Sequence, residues 1–66
     1  MDNNTDKKRM DHAEYPRRCR SMTNEQLRYT AQDAHQAAEA LPDGINAGYY
    51  WDEVHYCRAE LRRRGN

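Results

Sequence analysis

Residues 23–46 read TNEQLRYTAQDAHQAAEALPDGIN. Thr23 and Gln26 stand at the spacing of a capping box, in which each side chain accepts a hydrogen bond from the other residue's backbone N–H and opens a helix. Met22 just before the cap and Leu27 four residues after it have the spacing of a hydrophobic staple. Beyond them Leu27, Ala31, Ala34, Ala38 and Leu41 recur at alternating steps of four and three, which is one apolar stripe on an α-helix. Pro42-Asp43-Gly44 then joins a residue that cannot continue a helix to two turn formers. The pattern predicts a helix over about 23–41 and a tight turn after it.

The same rhythm resumes beyond the turn. Ala47, Tyr50, Val54, Cys57 and Leu61 form a second stripe, with Asn46 as the candidate N-cap. Asp52 and Glu53 fall early and Arg62, Arg63 and Arg64 fall late, which complements the helix dipole, and Gly65 is placed to end the helix. A second helix over about 46–64 is predicted. Two matched helices on a short turn must run antiparallel, so the fold expected is an all-α, antiparallel two-helix hairpin. No strand pattern competes with it. In this register Leu41 lies near Ala47 and Tyr50, and Leu27 lies near Leu61. The alanines of the first helix let the two backbones approach closely, while the second helix supplies the aromatic bulk.

Upstream the signals weaken. Residues 12–22 contain Tyr15-Pro16, where the proline disfavours helical geometry in the residue before it. They are read as an irregular, basic lead-in to a hairpin domain spanning 12–66. Residues 1–11 are polar, charged and without periodicity, and are read as a disordered tail.

Composition sets the limits. The chain has 66 residues, 36% of them apolar, with three Leu, one Ile, one Val and no Phe. Such a chain is near the lower size for an independent core, so self-association or a partner is expected. No apolar run is long enough to cross a bilayer, and MDNNTDKKRM lacks the apolar centre of a secretory signal, which leaves the cytoplasm as the expected location and a membrane partner unexpected. Two cysteines in that setting are not a disulfide framework. A Cys19–Cys57 disulfide would require the lead-in to fold back over the second helix, and the plainer reading makes Cys57 a small core residue.

The surplus of aromatics is the main functional signal. Tyr49, Tyr50, Trp51 and Tyr56 crowd into NAGYYWDEVHYC, residues 46–57. Tyr50 and Val54 are expected to point into the hairpin, with Tyr49, Trp51 and Tyr56 on its flanks and Tyr29 off the first stripe. Half-exposed tyrosines are ordinary, but tyrosine and tryptophan are also enriched at binding hot spots. Tyr29, Tyr49, Trp51 and Tyr56 are therefore the candidate protein-contact residues, and a homodimer is the simplest partner arrangement. Net charge is zero but unevenly spread. Arg17, Arg18, Arg20, Arg62, Arg63 and Arg64 gather at the open end of the hairpin, and Glu39, Asp43, Asp52 and Glu53 at the turn. The plainer reading of the basic pole is dipole compensation and solubility. The alternative is a surface contacting nucleic-acid phosphates with little sequence readout.

Chemistry is poorly signalled. His12, Cys19, His35, His55 and Cys57 show no close ligand pairs of the kind zinc sites use, and His55 and Cys57 point to different sides of one helix. There is no phosphate-cradling glycine loop and no paired carboxylate in a cleft, so neither a catalytic residue, a metal nor a cofactor is assigned.

The stretches HAEYPRRCRSMT, EQLRYT and LPDG, followed by NAGYYWDEVHYC, resemble small accessory proteins from the early region of temperate lambda-like bacteriophages. That resemblance runs from about His12 onward and leaves residues 1–9 outside it. It implies a host cytoplasm and action on host physiology by binding a host protein. It carries over no catalytic residue. The function expected is thus a small, non-enzymatic, self-associating protein-binding module.

Overall fold

The computed structural model describes residues 8–65. Among them the chain forms three α-helices, α1 (Glu14–Arg20), α2 (Asn24–Ala40) and α3 (Ala47–Arg63), and no strand. The all-α class holds, but the expected two-helix hairpin is here the larger part of a three-helix arrangement.

The hairpin itself follows the sequence closely. Thr23 is extended, its Oγ1 accepts from the Gln26 N–H at 3.0 Å, and Gln26 Oε1 accepts from the Thr23 N–H at 2.8 Å. Met22 packs against the cluster that contains Leu27. Leu27, Ala31, Ala34 and Ala38 of α2 are buried, as are Val54, Cys57 and Leu61 of α3. The turn closes when the Gly44 N–H donates to the Leu41 carbonyl at 2.9 Å, with Pro42 in the second position that its fixed φ suits. A Cβ on Gly44 would stand 3.0 Å from the Leu41 oxygen and 3.1 Å from its Cβ, so any larger residue here requires Leu41 to give way by a few tenths of an ångström. At the far end Gly65 takes φ +89° just past the C-cap and stops α3.

Three local expectations change. Residues 14–20 of the lead-in are helical. Pro16 is the third residue of α1, in the first turn, where a missing N–H removes little. Asp11 compensates, since its Oδ1 accepts from the N–H groups of Ala13 at 3.0 Å and Glu14 at 2.8 Å. Those bonds hold the Asp11 carboxyl below the usual carboxylate range. A seven-residue helix is not stable alone, so α1 depends on burying Tyr15 and Cys19, one turn apart, against the hairpin.

Leu41, expected in the core, is 69% exposed. Proline follows it, its backbone leaves the helix (φ −133°, ψ 72°), and its side chain leaves the stripe. Asn46 sits at the N-cap position of α3 but makes no side-chain cap. Its Oδ1 accepts instead from the Lys8 N–H at 2.7 Å.

That last bond starts a strap along α3. Lys8 Nζ lies 5.6 and 5.3 Å from the ring centres of Tyr49 and Tyr50. Met10 packs on the core cluster, and His12 Nδ1 meets the Tyr56 hydroxyl at 2.7 Å. Tyr15 then reaches Glu53 and Cys57, and Cys19 lies beside Arg64. Segment 8–20 therefore runs in the same direction as α3. The expected tail over 1–11 lies outside the described residues for 1–7, while 8–11 form the start of this strap.

Candidate interaction surface

The strap divides the aromatic residues into two groups. On the strap side, Tyr56 takes the His12 bond and also packs against Tyr15 with ring centres 6.0 Å apart. Tyr49 and Tyr50 meet edge to face at 5.8 Å beneath Lys8. Tyr15, which is not among the four candidate contact residues, is 5% exposed, and its hydroxyl donates to Glu53 Oε2 at 2.6 Å. Burial first, and then the Glu53 carboxylate, push the Tyr15 phenol far above its ordinary range. A signal was available: Asp11 and Glu14 stand at capping-box spacing and mark a helix start just before Tyr15.

On the uncovered side, Trp51 is 44% exposed and rests edge-on against the His35 ring, centres 5.3 Å apart. Tyr29 is 65% exposed and lies at the other end of the molecule, beside a hollow shared with Arg18, Met22 and Gln26. The four candidate contact residues thus form no single patch. Two are drawn into internal contacts, and two face solvent at opposite ends.

A more coherent apolar surface lies at the turn. Leu41 and Ile45 are 69% and 62% exposed, and with Ala37, Ala47 and Tyr50 they line a cleft of about 170 Å³. Trp51 belongs to the same end, in the first turns of α3. Glu39 and Asp43 are exposed around it and Asp52 is half-buried. The sequence hid this surface because Leu41 completes a helical stripe on paper and Ile45 belongs to no stripe at all.

The basic pole is assembled as expected, but part of it is committed to the fold. Arg64 Nη2 donates to the carbonyls of Cys19 and Arg20, both at 3.1 Å, Nη1 to Asn24 Oδ1 at 2.8 Å, and Nε to Glu60 Oε2 at 2.8 Å. One guanidinium fork thereby ties the end of α1, the start of α2 and the end of α3. Arg63 grips the same carboxylate through Nε at 2.9 Å and Nη2 at 2.6 Å. Glu60 is the one buried charged residue among those described, and the Arg63 bonds, followed by those of Arg64, hold its carboxyl down at about 2. Arg17, Arg18, Arg20 and Arg62 remain exposed, with Arg17 in a loose 3.5 Å pair with Glu14.

Among the described residues no group of three or more His, Cys, Asp and Glu is arranged to hold a metal, and no helix is long and apolar enough to cross a membrane. Comparison of the chain with protein-family models, curated proteins and solved structures found no match.

Proposed function

We propose that this chain is a non-enzymatic protein-binding module whose contact surface is the turn end of the hairpin, built from Leu41, Ile45 and Trp51. One observation carries the reading. A chain with three Leu, one Ile and one Trp leaves a Leu, the Ile and the Trp in solvent at one end. Large apolar residues that scarce, left outside toward one end, fit an interface better than a fold requirement. The rim of Glu39, Asp43 and Asp52 suits a partner with an apolar centre and a basic border.

The resemblance to phage early-region accessory proteins supports a bacterial host protein as that partner. Pairing of two copies through this end brings their acidic rims together, so self-association is the less favoured form of the reading. Tyr29 stands apart from this surface and is not required by it. The alternative, phosphate contact at the basic pole, rests on Arg17, Arg18, Arg20 and Arg62, because Arg63 and Arg64 are held by Glu60.

The test compares wild type with a Leu41→Ser/Ile45→Ser/Trp51→Ala variant in affinity capture from bacterial lysate, alongside sedimentation equilibrium at low and high salt. The reading expects a specific captured protein whose recovery falls at least about tenfold in the variant, equivalent to about 1.4 kcal/mol. Equal capture by both proteins contradicts it. Capture confined to nucleic acid and abolished by salt would favour the basic pole instead.

A further inference from the structure

Cys19 and Cys57 are the only cysteines in the chain. They are 38 positions apart and come from α1 and α3, yet both are fully enclosed in the same core cluster as free thiols. The fold-back of the lead-in over α3 is what brings them into one cluster. Both thiols are packed into that one cluster, and the Tyr15 hydroxyl, also in it, stands 4.0 Å from the Cys57 sulfur. Two free thiols enclosed in one core cluster, brought there from distant parts of the chain, are the starting arrangement for a disulfide.

We propose that Cys19 and Cys57 are a redox-modification site, which exchanges with a low-molecular-weight disulfide to form an intramolecular bond that locks α1 onto α3. The step balances as a two-electron exchange. One cysteine loses its proton, and its thiolate attacks the small disulfide, forming a mixed disulfide and expelling one small thiolate. The second cysteine, also deprotonated, attacks the protein sulfur of that mixed disulfide and expels the other small thiolate. The two protein thiols are oxidised, the small disulfide is reduced to two thiols, and the two protons pass to those products.

The packing also sets a gate. Burial pushes the Cys57 thiol up to about 12 and raises Cys19 as well, so neither is a ready nucleophile while α1 is docked. α1 is the smallest helix and contacts mainly α3, and its end is held by the Arg64 fork on the Cys19 and Arg20 carbonyls. Lifting α1 opens the cluster that encloses both sulfurs, and redocking closes it again. Oxidation thus starts from the undocked state and its product stabilises the docked one.

The experiment equilibrates the full chain in graded ratios of reduced to oxidised glutathione, both folded and in concentrated urea. Each sample is quenched by alkylation and read by intact mass. The expected product is a monomer lacking two hydrogens. Its formation constant should be at least ~tenfold larger for the folded chain than for the unfolded one, because a fold that holds the sulfurs together and a disulfide that stabilises the fold are the same linkage. A constant equal or lower in the folded chain overturns the proposal, as does glutathione adduct or intermolecular dimer as the only oxidised product. The gate is read separately with Arg64→Lys, which keeps a positive charge near Glu60 but loses the fork. It should oxidise several-fold faster than wild type, and an unchanged rate would overturn the assignment of α1 as the gate.

Discussion

The two ends of the α2–α3 hairpin are built from one sequence rhythm and finished differently. At the open end, Leu27 and Leu61 receive a third helix, and Tyr15, Cys19 and Cys57 fill the space between them. At the turn end nothing among the described residues covers Leu41 and Ile45, and the buried residues toward it are Ala34, Ala38 and Val54. The difference shows how a chain with few large apolar residues distributes them. It concentrates bulk where three helices meet, lets small residues bring two backbones close elsewhere, and leaves its remaining large side chains outside.

The most severe way to break this comparison is Leu27→Ala. Leu27 is fully buried at the centre of the three-helix cluster, so truncation should cost about 3 kcal/mol and leave a chain that urea unfolds at markedly lower concentration. Tyr15→Phe keeps the ring and removes the hydroxyl that donates to Glu53, leaving a half-buried carboxylate short of a donor. A loss of about 1.5 kcal/mol is expected from urea unfolding, together with weaker hydrogen-exchange protection in α1 than in α2. A loss spread evenly over all three helices would mean that α1 is not a separate attachment.

A finer probe is acid. The folded chain holds the Glu60 carboxyl at about 2, against an ordinary value of 4.5. The unfolded chain therefore takes up this proton first as pH falls. The stability that Glu60 contributes is complete above about 4.5 and is lost as pH drops toward 2. Wild type should lose more of its urea midpoint between about pH 6, above that window, and about pH 2.5, near its lower end, than Glu60→Gln does. Parallel loss in the two proteins would mean that the Arg63 and Arg64 pairs carry no stabilisation.

Much of the hairpin was legible because its signals are local. The Thr23–Gln26 box, both apolar stripes, Pro42 and Gly65 each act through neighbours a few residues away, and both long helices end within one residue of their expected bounds. What was not legible depends on distant partners. α1 exists because Tyr15 and Cys19 find burial on a helix far along the chain. Leu41 turns outward because a neighbouring proline overrides its place in the stripe. Arg62, Arg63 and Arg64 look equivalent in sequence, and only the carbonyls of Cys19 and Arg20 make Arg64 a clamp. Of the candidate contact residues, Trp51 stays at the surface now favoured. Tyr49 and Tyr56 differ from it through Lys8 and His12, which lie far from them in sequence.

The division between the two ends is tested most directly by urea unfolding of Leu41→Ser/Ile45→Ser, at a concentration where sedimentation shows monomer. If the turn-end side chains serve binding and not folding, the double variant should unfold within about 0.5 kcal/mol of wild type. A loss approaching that of Leu27→Ala would show that these residues hold the fold together, and would contradict the assignment of the turn end as the interaction surface.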